Sequence, residues 1–165
     1  MLRISLLSSE LKRDAFDCGE PHLNRYFHEQ VGQDIRRRVT SCFVAQEEDG
    51  RIVGFYTLAA ASVDLTDLPQ SLRKRLPRYP SLPAARLGRL AIASQEQQKG
   101  LGGVLLADAL QRILSMEIAV YALVVEAKDI NAQGFYRHHG FQSFPETPLR
   151  LFLPMATLKT KSQAG

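Results

Sequence analysis

The strongest constraint on the fold is a strand–loop–helix–strand pattern in the second half of the chain. Residues 86–93 favour a strand, a glycine-rich stretch occupies 97–103, and apolar residues recur at helical spacing over 104–116. Residues 119–127 then form a continuous apolar run that is typical of a strand buried on both faces. Two neighbouring strands joined through a helix run parallel with a right-handed crossover. The pattern therefore predicts a parallel pair inside a mixed sheet, and an α/β (α+β) fold class.

A helix and a hairpin precede this unit. Residues 21–34 have the mixed apolar spacing of an amphipathic helix. Residues 41–46 and 51–60 favour two strands, and the Glu47–Gly50 turn between them has Asp-Gly at its centre. We therefore expect an antiparallel hairpin here.

The remaining segments predict a loop, a helix and a final strand. Prolines are dense between residues 67 and 83, which permits at most a short helix at 70–76 and leaves the rest as an extended basic loop. Residues 130–138 favour a helix that ends at Gly140, because glycine readily adopts the left-handed conformation that closes a helix. Residues 149–153 favour one more strand.

Length and composition indicate one ordinary globular domain. The chain has 165 residues, of which 45% are hydrophobic and 23% charged, and this excludes a disordered or collagen-like chain. No apolar run approaches the ~20 residues that cross a bilayer, and the N-terminus lacks a signal-peptide pattern. Cys18 and Cys42 belong to no metal-ligand pattern. We therefore expect a single domain over 1–165, reduced thiols, no metal, no membrane association and a cytoplasmic location.

Positive charge is concentrated in two parts of the chain. The formal net charge is +4, and no Asp or Glu occurs between Leu68 and Gln95. The cations of that stretch are Arg73, Lys74, Arg75, Arg78, Arg86 and Arg89, and a second cluster is Arg36, Arg37 and Arg38. Such clusters favour a polyanionic partner, because each phosphate contact releases condensed counterions. A solvated basic surface is the alternative that composition leaves open.

The glycine-rich stretch has the properties of an anion site. It reads Gln97-Gln98-Lys99-Gly100-Leu101-Gly102-Gly103 and lies between a strand and a helix. Glycine lets a ligand approach the main chain, and the helix N-terminus offers unpaired N–H groups that suit a pyrophosphate. The stretch lacks the Lys-Ser/Thr of a Walker loop, and Leu105 stands where a dinucleotide fingerprint needs glycine. What remains is Gln-x-x-Gly-x-Gly, which a structural turn would also explain.

A second motif follows the apolar strand. It reads Phe135-Tyr136-Arg137-His138-His139-Gly140-Phe141. Aromatic residues on a helix mostly pack in a core, and this is the ordinary interpretation of Phe135 and Phe141. Tyr136 is the candidate for chemistry, since a phenol beside a thiolate leaving group is a suitable general acid.

These two motifs, in this order, resemble the GCN5-related N-acetyltransferase (GNAT) superfamily. The family carries Gln/Arg-x-x-Gly-x-Gly/Ala after its fourth strand, here Gln97, Gly100 and Gly102. After its fifth strand it carries Ala-x-x-Phe-Tyr-x-x-x-Gly-Phe, here Ala132, Phe135, Tyr136, Gly140 and Phe141. The resemblance implies the GNAT fold, in which parallel strands four and five splay apart within a mixed central sheet flanked by helices. One departure is Gln98, which stands where the common form of the first motif has glycine.

Further segments, spread between Leu6 and Leu153, narrow the resemblance. They are Phe16-Asp17-Cys18-Gly19, Leu23-Asn24, Gly54 to Ala59 with Ser62-Val63, Leu76 to Pro80, and Leu87 to Ile92. Together they are similar to the acetyltransferase toxins of type II toxin–antitoxin systems. This similarity implies transfer of an acetyl group from acetyl-CoA to the amino group of aminoacyl-tRNA, which stops translation. It also implies a homodimer and a small ribbon-helix-helix antitoxin as a partner.

The resemblance implies roles for particular residues. Leu90, Ala91 and Ile92 would pair with the pantetheine arm of acetyl-CoA through their main chain. The stretch from Gln97 to Gly103 would hold the pyrophosphate, and Phe135 would contribute to the same donor site. Tyr136 would give its proton to the leaving thiolate, and both basic clusters would bind tRNA.

Two other functions stay open from the residues alone. The first is an acetyltransferase for a protein N-terminus or a small amine; the acid-free loop argues against an acidic acceptor groove for it. The second is a CoA-binding or DNA-associated module without catalysis, in which Tyr136 would not affect turnover. The identity of the acetylated aminoacyl-tRNA depends on the shape of a pocket, so no residue pattern names it.

Overall fold

The computed structural model describes residues 1–158 of the protein. The first part of the chain forms strand β1 (Arg3–Leu6), helix α1 (Pro21–Arg25), a π-helical turn (Tyr26–Gln30), helix α2 (Val31–Arg36), and strands β2 (Ser41–Gln46) and β3 (Ile52–Asp64). The second part forms helix α3 (Gln70–Arg73), strand β4 (Ser81–Ile92), helix α4 (Leu101–Leu114), strand β5 (Ala122–Glu126), helix α5 (Ile130–His138), and strands β6 (Gln142–Phe144) and β7 (Thr147–Pro154). Among residues 1–158, no helix is long and apolar enough to span a bilayer.

The strands belong to one seven-stranded sheet in the order β1-β2-β3-β4-β5-β7-β6. The pairs β1–β2, β2–β3, β5–β7 and β6–β7 are antiparallel. Strands β4 and β5 are parallel, as the crossover through α4 requires. Just before β5, the Tyr121 N–H donates to the carbonyl of Pro83 over 2.8 Å. The mixed sheet with its parallel pair confirms the predicted fold class.

The described residues separate into two compact units. The first comprises residues 1–59 and 87–111, and the second comprises 60–86 and 112–158. Strands β3 and β4 contribute residues to both units. The expectation of a single domain over 1–165 stays a prediction, and its last residues, 159–165, lie outside the described residues.

An aromatic cluster forms the core of the first unit. The rings of Phe27 and Phe55 stack with centroids 4.3 Å apart, and Phe16 packs edge-on against them at 5.1 and 5.5 Å. Val31 is fully buried in the same cluster. The predicted helix over 21–34 is confirmed as a helical segment, since Phe27 and Val31 are residues that it buries, although its middle is a π-helical turn.

Strand residues form most of the core of the second unit. Val63, Leu82 and Val124 are buried here, and Phe144 packs against Phe152 with ring centroids 4.7 Å apart. All of β5 except its last residue is buried. This confirms the strand that the sequence predicts to be buried on both faces.

Several element boundaries differ from the prediction. β4 begins at Ser81, inside the predicted loop, and includes Pro83 near its start, a part of a strand where proline costs least. The Pro83 carbonyl accepts the Tyr121 N–H. β5 begins at Ala122 rather than at residue 119. The strands β1 and β6 are not predicted, because strands of four and three residues are too short to show an alternation of apolar and polar side chains.

The start of α4 corrects the extent of the glycine-rich loop. The helix begins at Leu101, whereas apolar periodicity predicts its start at Val104. Gly102 and Gly103 therefore lie in the first helical turn, despite the low helix propensity of glycine. The loop itself is shorter than predicted, and the helix N-terminus lies directly after Gly100.

Candidate active site

The glycine-rich loop connects β4 to α4 in the first unit. Gln98 and Gly100 both have left-handed backbone conformations, with φ of +64° and +82°. This conformation explains why the common form of the motif has glycine where this chain has Gln98. A Cβ atom built on Gly100 would meet no atom within 4 Å, so the loop faces open space on that side.

The beginning of α4 makes this open side suitable for an anion. The first N–H groups of an α-helix have no acceptor inside the helix, and the helix dipole is positive at this end. In this chain those groups belong to Leu101, Gly102 and Gly103, and the helix continues to Leu114. The open space beside Gly100 and these N–H groups suit an anion such as a pyrophosphate.

Gln97 contributes to this site by holding the loop. Its side-chain Nε2 donates to the carbonyl of Ile92 and to the carbonyl of Cys18, each over 2.9 Å. Both N–H bonds of the amide are therefore engaged by main chain. The side chain anchors the loop to the end of β4 and to the segment around Cys18.

The positive charge of Lys99 is partly neutralised by a neighbouring carboxylate. Its Nζ lies 3.4 Å from Glu96, and Nη1 of Arg51 lies 3.0 Å from the same carboxylate. The hydrogen bond from Arg51 is the main reason that the pKa of Glu96 is lowered. Two cations share one carboxylate, which leaves a net charge of about +1 beside the loop.

The end of β4 packs closely against β3 and α4. A Cβ atom on Gly54 would lie 3.0 Å from Leu105 Cδ1 and 3.1 Å from both the Ala91 carbonyl and Ile92 Cδ1. Only glycine fits there without displacing these atoms. Gly54 is not among the site residues predicted from the sequence, although a glycine inside a strand pattern is a signal of close backbone approach.

Thr57 is a second residue that the sequence reasoning did not single out. It is buried, and its Oγ1 accepts the main-chain N–H of Arg89 over 3.0 Å. A Cβ atom on Gly88 would lie 3.1 Å from the same hydroxyl. Thr57 thus supports the main chain of β4 immediately before Leu90, where the donor-binding residues are predicted.

Arg89 is held in a defined position. Its guanidinium lies 3.5 Å from the centroid of the Tyr26 ring, and the Tyr26 hydroxyl donates to Asp34 over 2.8 Å. Burial is the main cause of the raised pKa of Tyr26. A cation stacked on an aromatic ring that is itself hydrogen-bonded loses little freedom when it meets a phosphate.

The Arg36–Arg38 cluster lies at the C-terminal end of α2 and is exposed. Arg38 has φ of +62°. Its N–H donates to the main-chain carbonyl of Ile35, and the Val39 N–H donates to the main-chain carbonyl of Asp34 over 3.1 Å. This is the Schellman arrangement that closes many helices, usually with glycine at the position of Arg38. Cations also stabilise a helix C-terminus, so the cluster has a structural role beside its predicted one.

In the second unit, some of the predicted tRNA-binding cations line one hollow. It has a volume of about 470 Å³ and is lined by Leu65, Gln70, Arg73, Lys74, Leu76 and Arg78. The Nε of Arg73 is buried and has no hydrogen-bond partner among residues 1–158. Arg75 and Arg86 are exposed and do not line the hollow. The structure therefore brings Arg73, Lys74 and Arg78 together.

Tyr136 is a buried side chain on α5, with 8% of its surface exposed. Its ring lies edge-on to Phe135 at 5.1 Å and to Phe141 at 5.5 Å. Burial raises the pKa of Tyr136 to about 12. The hydroxyl is therefore fully protonated at neutral pH and available as a donor.

Both ends of α5 are fixed by local hydrogen bonds. The Asp129 carboxylate caps the first turn by accepting the Ala132 N–H over 2.8 Å. At the other end Gly140 has φ of +95°, and the Phe141 N–H donates to the Tyr136 carbonyl over 3.1 Å. The predicted helix and its glycine stop are confirmed. His139 bonds through Nδ1 to the Phe135 carbonyl, so it also belongs to the helix end.

No metal ligand set accompanies these residues. Within residues 1–158, no group of three or more His, Cys, Asp or Glu side chains is arranged to hold a metal ion. Cys18 and Cys42 are buried and are not in a disulfide.

Comparison with known proteins agrees with these features. Residues 38–143 match the family model described as "Acetyltransferase (GNAT) domain". A "tRNA-acetylating toxin" of Mycobacterium tuberculosis is 38% identical over 143 residues, which cover 86% of this chain and 84% of the relative. A "Probable toxin TacT" of Sinorhizobium fredii is 33% identical over 158 residues, covering 90% of this chain and 87% of the relative.

Solved structures show the same similarity. The chain superposes on AtaT complexed with acetyl-methionyl-tRNAfMet with a TM-score of 0.88 and 28% identity, over 97% of this chain and 98% of AtaT. A tyrosine-to-phenylalanine mutant of KacT has the same TM-score and identity, over 96% of this chain and 98% of KacT. This chain belongs to the GNAT acetyltransferase family.

Proposed function

We propose that the protein is an acetyl-CoA-dependent N-acetyltransferase that acetylates the amino group of aminoacyl-tRNA and thereby blocks translation. The observation that carries the proposal is the open, left-handed loop at the N-terminus of α4, in a chain 38% identical to a tRNA-acetylating toxin. Solved relatives include AtaT with acetyl-methionyl-tRNAfMet and AtaTR with acetyl-CoA.

The donor is held mainly by main-chain groups. The N–H groups from Lys99 to Gly103 bind the pyrophosphate, and the strand residues Leu90, Ala91 and Ile92 pair with the amides of the pantetheine arm. Phe135 supplies apolar contact to the same donor. Acetyl-CoA brings an activated thioester, so no metal is needed for the transfer.

The reaction is attack of a neutral amine on the thioester carbonyl. An α-amino group has a reference pKa near 8, so a useful fraction is neutral at pH 7 without a strong protein base. The C–N bond forms, the C–S bond breaks, and the amine releases one proton to water. The departing sulfur leaves as a thiol, so a proton donor is required on its side.

Tyr136 is that donor. Its pKa of about 12 lies above that of an ordinary thiol, near 8.5. The tyrosine therefore stays protonated until negative charge develops on the sulfur, and it stabilises that charge by hydrogen-bond donation. By these pKa values alone, transfer of the phenol proton to sulfur is unfavourable, so it takes place together with the return of a proton from solvent to the Tyr136 oxygen. The sum of the two transfers is protonation of the thiolate by solvent, which is favourable at pH 7 because the pKa of the thiol is near 8.5.

The basic residues bind the RNA part of the acceptor. Arg89 in the first unit is stacked on Tyr26, and Arg73, Lys74 and Arg78 line the hollow of the second unit. The exposed cations Arg36, Arg37, Arg38, Arg75 and Arg86 add to the field that attracts a polyanion. Phosphate contacts of this kind position the RNA without reading its sequence.

We further propose a cytoplasmic homodimer neutralised by a ribbon-helix-helix antitoxin. The KacTA–DNA complex and the AtaT–AtaR complex bound to DNA, which this chain resembles at 27% and 25% identity, support the antitoxin. Light scattering at micromolar concentration tests the dimer, and a mass of 18.5 kDa alone would contradict it.

Transfer of radiolabelled acetyl groups tests the proposed function. We expect label in charged bulk tRNA, and none in discharged tRNA or in a mixed peptide pool. Mild alkali should release the label together with the amino acid, since the acetyl group sits on the aminoacyl amine. Label in peptides but not in charged tRNA would assign the protein instead to acetylation of protein N-termini.

A further inference from the structure

The segment around Cys18 is hydrogen-bonded to the loop that is proposed to hold acetyl-CoA. The segment contains Asp17-Cys18-Gly19 and Asn24, residues that the function proposed above does not use. The hydrogen-bond partners of this segment all belong to the first unit. We call Asp17, Cys18, Asn24 and Gln97 the brace.

The brace begins with Asn24. Its Oδ1 accepts the main-chain N–H of Cys18 over 2.9 Å, and its Nδ2 donates to the Asp17 carboxylate over 2.8 Å. The same carboxylate oxygen of Asp17 accepts the Gly19 N–H over 2.8 Å, in a turn where Gly19 has φ of +86°. The Gly19 and Asn24 hydrogen bonds lower the pKa of Asp17.

The main-chain carbonyls of Cys18 and Asp17 connect the brace to the end of β4 and to the donor loop, which begins at Gln97. The carbonyl of Cys18 accepts from Nε2 of Gln97, which also donates to the carbonyl of Ile92 at the end of β4. One residue earlier, the Asp17 carbonyl accepts the Ser94 N–H over 2.9 Å. The path from β4 to Gln97 is therefore tied to the turn that Asn24 and Asp17 hold.

The Cys18 thiol plays no chemical part in this arrangement. Its Sγ is directed at the Glu20 carbonyl at 3.8 Å, and the residue is 4% exposed. Burial raises the pKa of the thiol, which keeps it protonated and unreactive. The contribution of Cys18 to the brace is its backbone, whose N–H and carbonyl are both engaged.

The loop needs such support because Gln98, a residue with a side chain, is held in the strained left-handed conformation. Gln98 and Gly100 have positive φ, and a non-glycine residue in this conformation costs ~1 kcal/mol or more. Strained conformations persist only where the surrounding contacts hold them. A loop held in its binding conformation avoids the ordering cost when a ligand arrives.

We propose that Asn24 and Asp17 are positioning residues for acetyl-CoA: they hold the Cys18 carbonyl so that Gln97 fixes the donor loop in its binding conformation. The proposal rests on the function proposed above, because it takes the loop as the acetyl-CoA site. Its signature is a change in donor affinity without a change in the chemical step. Tyr136 belongs to the second unit and is not a member of the brace.

The test compares three variants of the full chain. Asn24→Ala and Gln97→Leu remove brace hydrogen bonds, and Gln46→Leu is the matched control. Gln46 also donates its Nε2 to a main-chain carbonyl, that of Gly50 over 2.9 Å, but at the hairpin turn. We expect about a tenfold rise in the Kd and KM for acetyl-CoA in both brace variants, with kcat at saturating donor within about twofold of the parent. Calorimetry and initial rates measure these values.

An exchange variant separates positioning from simple loss of stability. In Asp17→Asn with Asn24→Asp, the carboxylate and the amide trade places, so the bond between the two side chains and the bond from the Cys18 N–H can still form, whereas the Gly19 N–H loses the oxygen that it shares with Asn24 in the parent. We expect this double variant to bind acetyl-CoA more tightly than either single variant, although less tightly than the parent. Gln97 is exposed, so Gln97→Leu gives a folded comparison even where Asn24→Ala lowers the yield.

The possible outcomes distinguish the positioning role of the brace from the proposed function on which it rests. Brace variants with the same Kd as Gln46→Leu would overturn the positioning role, and so would a loss confined to kcat. A parent protein that binds acetyl-CoA but acetylates no charged tRNA would refute the acceptor assignment and leave the brace standing. A parent protein that binds no acetyl-CoA would overturn both.

Discussion

The glycine loop of the first unit and the tyrosine helix of the second unit offer opposite kinds of chemistry. The loop offers main-chain N–H groups from an exposed backbone in which Gln98 and Gly100 have positive φ, and only Gln98 is strained by it. Helix α5 offers one buried side chain, Tyr136, from a regular backbone capped at both ends. The comparison teaches that the proposed donor binding depends on backbone conformation, whereas the proposed proton donation depends on one buried hydroxyl.

The largest effect should come from Gly100→Asp, which tests whether the loop backbone binds the donor. A side chain at φ of +82° is strained, and a carboxylate would enter the open space where the pyrophosphate is expected. We expect acetyl-CoA affinity to fall about 100-fold or more by calorimetry. Gly50→Asp is the matched control, since Gly50 has φ of +88° and equally open surroundings in the hairpin turn. A folded Gly100→Asp protein with parent affinity would remove the loop from the donor site.

The next largest effect should come from Tyr136→Phe, which removes one hydroxyl. Loss of a positioned general acid costs roughly 100-fold in kcat, while the fold and the Kd for acetyl-CoA should be retained. Tyr121→Phe is the control, because Tyr121 is another partly buried tyrosine of the second unit with a pKa raised by burial. In a cell, Tyr136→Phe should permit growth where the parent arrests it. Full turnover by this variant would mean that the thiolate leaves without Tyr136.

A smaller effect is expected from the hollow lined by Arg73 and Arg78. Replacing both with Glu should weaken binding of charged tRNA by about tenfold and flatten its dependence on salt, because fewer counterions are released. Filter binding over a range of salt concentrations measures both. Arg3→Glu with Arg25→Glu changes the net charge equally at exposed positions outside the basic clusters. Equal losses of tRNA affinity in the two double variants would show that the hollow contributes only through the net charge of the protein.

The smallest effect concerns pH and compares one buried group from each unit. Burial raises the pKa of the Cys42 thiol from 9.0 to about 12 and that of Tyr136 from 10.0 to about 12. Both folded-state pKa values lie above the unfolded values, so the unfolded chain loses its protons first as pH rises. The free energy of unfolding should therefore fall from pH 9 through Cys42 and from pH 10 through Tyr136, until pH reaches about 12.

Denaturant titration at pH 8 and pH 10 checks this. The parent should lose about 1 kcal/mol of stability through Cys42 between these values. Cys42→Ala should show a smaller loss over the same interval, whatever its stability at pH 8. Identical slopes for Cys42→Ala and the parent would show that the thiol already ionises in the folded protein.

The two regions also differ in how well the sequence predicts them. The predicted bounds of α5 agree with the structure, because Asp129 and Gly140 are local start and stop signals. The predicted start of α4 does not agree, since Gly102 and Gly103 disfavour a helix, yet they lie in its first turn, shortly before the fully buried Leu105 and Leu106. A local signal is readable from the chain, and an override by packing is not.

The candidate site follows the same rule. Gln97, Gly100 and Tyr136 are recognisable from motif spacing, and so is the basic segment from Arg73 to Arg89. Gly54 and Thr57 support β4 through contacts with Ala91 and Arg89, which lie more than thirty positions away in the chain. A glycine inside a strand pattern signals close approach at Gly54, but no local pattern names the partner, and the partners of Gly54 and Thr57 are known only once the strands are paired.

The order of residues alone predicts the mixed sheet, the parallel crossover and the anion site proposed at the loop, because these arise from periodicity and glycine conformation. The motif that contains Tyr136 marks this tyrosine as the candidate for chemistry. Three-dimensional packing decides the rest. It sets the pKa of Tyr136 through burial, stacks Arg89 on Tyr26, and ties Cys18 to Gln97, although these last two lie far apart in sequence. These properties depend on distances and on exclusion of water, and a folded chain alone defines both.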